Sequence, residues 1–209
     1  MKSLTLDRIA RMCRGRIVSG RGDETFDSVC IDSRQARSGS VFFALKGEVT
    51  DGHLYIGKAV ESGAGCVITD HETECFGACQ IVTEDTFTAL QDMAAAYRDD
   101  FEIPFVGVTG SSGKTTNKDL IASVLSQKYD TLKTFGNLNS TTGVPLTLFE
   151  LEDHHQIAVI EMSMSARGEI LGNAAIVRPE TAVITNVGTA HIEFLGSREN
   201  IFRAKSEIF

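Results

Sequence analysis

The sequence predicts an α/β protein in two parts: a small mixed α/β domain over residues 1–84 and a phosphate-loop, parallel-sheet domain over residues 103–209, joined by a connector helix within 85–102. Three observations predict it. Short apolar runs separated by Gly, Ser and Asp turns fill the first part. Strands alternating with helices fill the second, the pattern of a parallel sheet covered on both faces. Within that second part, the run Gly107-Val-Thr-Gly110-Ser-Ser-Gly113-Lys114-Thr115-Thr116 follows an apolar strand and opens a helix.

In the first part, Thr5 caps a helix that runs to Cys13, and strands are expected at 16–18, 27–31 and 41–45. A helix over 54–62 and strands at 66–69 and 80–83 complete the unit. Thr86 then caps a helix through Tyr97 that places Ala89, Leu90, Met93, Ala94 and Tyr97 on one face. The second part offers strands at 105–109, 131–135, 157–162 and 181–187, with helices opening at Gly113, at Gly143 or Pro145, and at Gly168. An amphipathic segment from Asn200 runs to Phe209. Four strands are few for such a sheet, so the expectation is a truncated domain whose last strand lacks a neighbour.

Composition narrows the function. With 42% hydrophobic residues the chain can bury a substantial core, which excludes disorder. A net charge of −8 without a dense Lys/Arg tract excludes a nucleic-acid surface, and any anionic ligand must be held locally. No apolar run is long enough to span a bilayer, and the N-terminus reads as an amphipathic helix instead of a secretory signal. A soluble, cytoplasmic monomer is expected. Cys13, Cys30, Cys66, Cys75 and Cys79 form an odd set without zinc-type pairs, so they read as reduced structural thiols.

The glycine-rich run reads as a nucleoside-triphosphate phosphate loop. Its glycines let backbone N–H groups turn toward phosphate oxygens and the following helix adds its positive end. Lys114 supplies a cation for the terminal phosphates, and Thr115 a Mg²⁺ ligand. The spacing departs from the common Walker form, because Val108 stands six before Lys114 and the first glycine is Gly107.

Other signals are individually ambiguous. Glu161 ends an apolar strand, where an open α/β sheet places its ligands; it is either the carboxylate that completes a Mg²⁺ shell or an ordinary strand-exit glutamate. His191 follows the next strand as a metal ligand or a plain loop histidine. Lys205 reads as a solvated helix lysine, a free and mobile ammonium. In the first part, Asp32-Ser33-Arg34, Lys46-Gly47 and Asp51-Gly52-His53 follow strands and suit either polar turns or a phosphorylated ligand.

Taken in order, these runs resemble the Mur ligases over essentially the whole chain. The resemblance is carried by Asp32-Ser-Arg34, Val41-Phe-Phe-Ala-Leu-Lys-Gly47, Asp51-Gly-His53 and the phosphate loop. It continues through Gly136-Asn-Leu-Asn139, Gly143-Val-Pro-Leu-Thr147, Glu161-Met-Ser-Met, Arg167-Gly-Glu-Ile170 and Thr185-Asn-Val-Gly-Thr-Ala-His-Ile-Glu193 to Ala204-Lys205. Thr-Ala-His-Ile-Glu favours the member that joins D-alanyl-D-alanine to UDP-N-acetylmuramoyl-tripeptide over the one that adds the third peptide residue. Ser163 stands where the family commonly has glycine after Glu-Met.

The resemblance implies that the first part is a uridine-binding domain in which Ser33, Arg34, Lys46 and the 47–53 loop, with Gly47, Asp51, Gly52 and His53, contact the UDP moiety. It implies that the second begins an ATPase domain: Thr109, Gly110, Ser111, Ser112, Gly113, Lys114, Thr115 and Thr116 hold ATP. Thr115 and Glu161 would hold one Mg²⁺, and His191 with a carbamylated Lys205 a second, so that Lys114, Lys205 and His191 are the catalytic set. Asn137, Asn139 and Thr141 would lie near the muramoyl-peptide. The implied reaction is ATP-driven amide formation in peptidoglycan precursor synthesis, through an acyl phosphate attacked by the dipeptide amine. The family's adenine-binding segment and dipeptide-binding domain would lie beyond Phe209, leaving this chain an incomplete, inactive fragment. Two alternatives stand beside it: another acid-amino-acid ligase with the same ATPase core, against which the Asp32-Ser-Arg34 domain argues, and a non-catalytic UDP-sugar-peptide binding module.

Overall fold

The computed structural model describes residues 1–47 and 50–209, which divide into two compact units, Met1–Tyr97 and Arg98–Phe209. The first opens with β1 (Leu4–Thr5), α1 (Leu6–Met12), β2 (Arg16–Ser19), β3 (Thr25–Phe26), β4 (Ser28–Cys30) and β5 (Ser40–Phe43). It continues with α2 (Ile56–Glu61), β6 (Ala64–Thr69), β7 (Cys79–Val82) and α3 (Thr86–Arg98), whose last residue falls in the second unit. Five strands form one sheet in the order β2-β7-β6-β5-β4. Only β2 runs antiparallel to its neighbour, which makes the sheet mixed.

Thr5 caps α1 as expected, its hydroxyl accepting from Arg8 N–H at 3.3 Å. β1 and β3 pair as a separate antiparallel ribbon that the sequence did not signal, because two-residue strands carry no readable period. The expected 54–62 helix is a 3₁₀ turn over Gly52–Tyr55 followed by α2. Asp85, not Thr86, caps α3, accepting from Thr88 N–H at 2.7 Å; the Thr86 hydroxyl instead donates to Ala44 C=O, a buried acceptor that outcompetes the cap. The apolar face of α3 is buried as its period requires, through Ala89, Leu90, Met93, Ala94 and Tyr97.

The second unit contains β8 (Phe105–Thr109), α4 (Lys114–Leu125), β9 (Thr131–Lys133), α5 (Gly143–Leu148), β10 (Ile157–Glu161), α6 (Glu169–Val177), β11 (Thr181–Ile184), α7 (Ile192–Leu195) and α8 (Arg198–Lys205). Its sheet is fully parallel, in the order β11-β8-β10-β9. The expectation of an unpaired last strand is therefore corrected: β11 pairs with β8, in register from Thr181 opposite Val106 to Ile184 opposite Thr109. After β8 the chain crosses to β9, returns to insert β10 between them, and then places β11 on the far side of β8. That reversal opens a crevice at the carboxyl ends of β8 and β10, where such sheets take ligands. Val108, Ala122 and Val159 pack one face of the sheet beneath α4, with Val106, Ile121, Leu125 and Val183 around them.

Among the described residues, no helix is long and apolar enough to cross a membrane. All five cysteines are buried and free. One core position runs against its surroundings. Asn173 sits on the buried face of α6 with Ile170, Ile176 and Val177, fully enclosed, and neither its amide oxygen nor its nitrogen has a partner among the described residues. An unpaired buried amide costs about 1–3 kcal/mol. Asn173→Leu, which keeps the branched four-atom skeleton, should raise the urea unfolding midpoint at unchanged m-value; a lower midpoint would show that the amide is satisfied.

Candidate nucleotide-binding sites

In the second unit the loop between β8 and α4 is fixed by backbone geometry. Gly110 has φ +153° and Gly113 φ +75°, and a side chain at Gly110 would overlap the Thr185 hydroxyl, so glycine is required there. Gly113 occupies the N-cap of α4 without a side-chain cap. The first-turn N–H groups of Lys114, Thr115 and Thr116 thus lack intrahelical acceptors and, with the helix dipole, favour an anion. Lys114 folds back on the loop, its Nζ donating to Gly110 C=O at 3.0 Å.

A second loop braces this one. Asn186 Oδ1 accepts from the backbone N–H groups of Ser111 at 3.1 Å and Ser112 at 3.0 Å, and Asn186 Nδ2 bonds Ser112 Oγ at 2.6 Å. Thr185 Oγ1 donates to Ser112 C=O at 2.6 Å, and Gly188 N–H donates to Ser111 Oγ at 2.9 Å. The apolar run predicts a strand through 187 and gives no sign of this role. β11 ends at Ile184 because the residues beyond it turn their polar groups onto the loop. An Asn directly after a strand, level with a glycine-rich loop, was the available signal.

Glu161 ends β10 with its side chain 1% exposed. Its Oε1 accepts from Asn139 Nδ2 at 2.7 Å and from Thr115 Oγ1 at 3.3 Å, and its backbone N–H donates to Thr134 Oγ1 at 2.9 Å. Among the described residues, Glu161 Oε2 and the buried Thr109 hydroxyl have no partner. A buried carboxylate with one oxygen unsatisfied, beside a threonine hydroxyl at a phosphate loop, fits a hard divalent cation such as Mg²⁺, which takes oxygen ligands. Asn139, expected beside the peptide, gives its amide to this carboxylate. Ser163 sets that orientation by donating to Asn139 Oδ1 at 2.9 Å, a contact a glycine cannot make. Asn137 is exposed and Thr141 half-buried on the same connection.

Lys205 corrects the reading of a solvated, mobile lysine. It is 2% exposed at the end of α8, which buries Ile201 and Ala204 with it. The 3₁₀ turn after it is anchored by Glu207, which accepts from Gly168 N–H at 3.0 Å and Leu171 N–H at 3.3 Å at the start of α6. Burial, and then the positive charge of Lys114, push the Lys205 amine down to about 8. The structure thus brings Lys205 within electrostatic reach of the phosphate loop. His191 adopts φ +65° at the N-cap of α7, half-buried, and among the described residues no hydrogen bond joins it to Lys205 or Glu161.

The first unit places its polar residues at the carboxyl ends of β4, β5 and β6. A pocket of about 580 Å³ there is lined by Asp32, Ser33, Arg34, Leu45, Gly47, Thr50, Gly52, Tyr55 and Lys58, among others. Ser33 is buried. Asp32 caps the turn over Ser33–Gln35 and grips Arg34, with Arg34 Nη2 2.6 Å from Asp32 Oδ2 and Nε 2.9 Å from Oδ1. The Arg34 hydrogen bonds hold the Asp32 carboxyl down at about 2. Lys46 forms a β-bridge with Asp51, and Gly52 passes so close to the Ala44 and Leu45 backbone that a Cβ would clash. Glu48 and Val49, within the expected 47–53 contact loop, lie outside the described residues. Tyr55 and Lys58 were missed, because pocket-facing positions on a short helix look like any solvated face.

Comparison with known proteins follows the same division. Residues 25–104 match the Mur ligase family, catalytic domain, and residues 108–209 the Mur ligase middle domain. The UDP-N-acetylmuramoyl-tripeptide–D-alanyl-D-alanine ligase of Synechocystis sp. is 48% identical over 188 residues, covering 89% of this chain and 41% of that protein. A crystal structure of MurF from Acinetobacter baumannii superposes with a TM-score of 0.94 at 38% identity, over 100% of this chain and 46% of the other. MurF ligase from Thermotoga maritima in complex with ADP gives 0.79 at 38% identity, over 87% and 42%. The chain spans less than half the length of these relatives. Two successive family domains over nearly its whole extent, and these structural likenesses, establish that the chain belongs to the Mur ligase family.

Proposed function

We propose that this chain carries the uridine-nucleotide and ATP-phosphate sites of a cytoplasmic, monomeric ligase that adds D-alanyl-D-alanine to UDP-N-acetylmuramoyl-tripeptide. The observation that carries the reading is the Glu161 carboxylate, buried with one oxygen unpartnered beside Thr115 at the phosphate loop. The names of the relatives supply the substrates. Thr109 to Thr116 would enclose the ATP phosphates, Lys114 leaving Gly110 C=O to meet their charge. Thr115 and Glu161 would hold one Mg²⁺, and His191 with Lys205 a second. Bound Mg²⁺ would supply charge neutralisation as a carboxylate and a phosphate, both anions, are brought together.

The chain's own groups prepare that meeting. Asn186 holds the loop in shape before any ligand arrives, so little reorganisation is needed on binding. Ser163 and Asn139 fix the carboxylate of Glu161. Lys205, its amine pushed down to about 8 by burial, reaches the neutral form more readily than an ordinary lysine; the neutral nitrogen's lone pair would form an N–C bond to CO₂ as one C=O π pair moves to oxygen, and loss of the N–H proton to solvent would leave an anionic carbamate, an oxygen ligand for a metal. In the first unit, Ser33, Arg34, Lys46, Gly47, Asp51 and Gly52 are proposed to contact the UDP moiety, whereas His53, outside the pocket lining with both ring nitrogens facing Asp51 and Asp70, is not; Asn137, Asn139 and Thr141 in the second are proposed to contact the muramoyl-peptide.

Calorimetric titration with pyrophosphate and with ATP, each with Mg²⁺, tests the phosphate site. Lys114→Ala should remove most of the binding, whereas equal binding by the variant would overturn the assignment.

The state of Lys205 has a separate signature. Its depressed value means that between pH 8 and 10.5 the unfolded chain binds more protons than the folded one, so this group's contribution to stability rises with pH across that window. Below it, the buried ammonium costs on the order of 3 kcal/mol. Lys205→Met should therefore be the more stable protein at pH 7 in urea unfolding, with an advantage that shrinks toward pH 10; a variant less stable at pH 7 would show that the ammonium is paired.

A further inference from the structure

Behind the 50–53 turn of the first unit, three potential metal ligands converge, apart from the pocket-lining residues. His53 comes from the turn after Gly52, and Asp70 and His71 directly follow β6. Their ligand atoms all lie within 4.8 Å of one another. His53 Nε2 is 3.1 Å from Asp70 Oδ1, and the same oxygen is bonded by His71 Nδ1. The two imidazole rings stack at 4.8 Å, 23° from parallel. Thr50 and Gly52 line the pocket, but His53 is not among its lining residues.

The hydrogen bonding fixes which nitrogen is free. Asp51 Oδ1 lies 2.7 Å from His53 Nδ1, and an ionised carboxylate only accepts, so Nδ1 carries the hydrogen. In the neutral ring, Nε2 then presents a lone pair, toward which the Asp70 backbone N–H points at 3.5 Å. That lone pair also faces the Asp70 carboxylate oxygen. Two acceptors at 3.1 Å repel unless a positive centre lies between them.

We propose that His53 Nε2, Asp70 and His71 Nδ1 bind one divalent transition-metal ion of the zinc class, the His71 ring moving its hydrogen from Nδ1, where it bonds Asp70 without the ion, to the solvent-facing Nε2. Two imidazoles and one carboxylate suit such an ion better than Mg²⁺, which takes oxygen ligands. Asp51 stands behind His53 as the carboxylate that orients a metal-bound histidine. Ligands at about 2.0–2.1 Å from a tetrahedral ion lie roughly 3.3 Å apart, so the three groups need only small side-chain rotations. His53 is 10% exposed, Asp70 34% and His71 63%, which leaves one side open for a fourth ligand from solvent. Bound there, the ion ties the 50–53 turn, part of the pocket wall, to the end of β6.

Titration of the 209-residue chain with Zn²⁺ in excess Mg²⁺ should show one site of micromolar or tighter affinity, and Co²⁺ should give visible absorption of tetrahedral nitrogen and oxygen ligation. His71→Ala changes an exposed side chain and keeps the fold by circular dichroism, yet should weaken Zn²⁺ at least tenfold. Asp51→Asn retains a side-chain cap for the turn and should weaken it by about 10–100-fold. Absence of Zn²⁺ binding would show that a proton bridges His53 and Asp70 and would overturn the site. Affinity unchanged in His71→Ala, or an intense near-ultraviolet cobalt–thiolate band, would overturn it equally by placing the ion on other residues.

Discussion

The Glu161 carboxylate is the constraint on which the second unit's site depends. Four segments meet at it: β10 carries it, α4 presents Thr115, the end of β9 presents Thr134, and the following connection presents Asn139. Burying an anion without a full set of partners is costly, and Oε2 has none among the described residues. The sheet order makes the arrangement possible, because β10 lies between β8 and β9 and its carboxyl end therefore faces both neighbouring loops. Lys118 reinforces the frame from below. Its buried Nζ donates to Thr134 C=O at 2.9 Å, holding the β9 exit while Thr134 Oγ1 holds Glu161.

The two units solve one problem with the same device. Parallel strands end with their side chains and following loops on one edge, and polar residues collected there need no core position. In the second unit the edge presents helix N–H groups and lysines suited to phosphate. In the first it presents the Asp32–Arg34 grip, the Lys46–Asp51 bridge and the Asp70–His71 pair. Arg34 is held by Asp32 but stays 75% exposed on its side chain, so the grip aims the guanidinium without removing it from an incoming anion.

Much of this was legible in the sequence for a physical reason. The alternation of strands and helices, the period of α3 and the Gly-rich loop are local patterns, and local energetics decide them. Thr115, Lys114 and Glu161 could be named because their residue types sit at strand exits. What escaped depends on distant partners. Thr86 looked like a cap until Ala44 C=O competed for its hydroxyl, and the residues after Ile184 looked like strand until the phosphate loop claimed their polar groups. Lys205 looked solvated because its helix alternates charges, whereas its burial is set by packing of Ile201, Ala204 and Ile208. Neither β11's pairing nor Asn186's brace is written in any short window.

The two lysines of the second unit give the site its electrostatic direction. Lys114 and Lys205 repel, and the repulsion adds to the burial that already disfavours the Lys205 ammonium. Lys114 meanwhile settles on a loop carbonyl, a neutral acceptor that offsets only part of its charge. An isolated site of this kind is poised against itself: two cations lie near one another, and the buried carboxylate retains an unpartnered oxygen. A polyanion accompanied by divalent cations relieves both strains at once, since phosphate oxygens screen the lysines and a metal completes the carboxylate. On the proposed reading, ligand and metal would stabilise each other's binding, and a variant that removes either charge, Glu161 or Lys114, would weaken the hold on both. A glycine-rich loop at a helix N-terminus would by itself favour an anion; together with a buried carboxylate it would favour an anion that arrives with its metal.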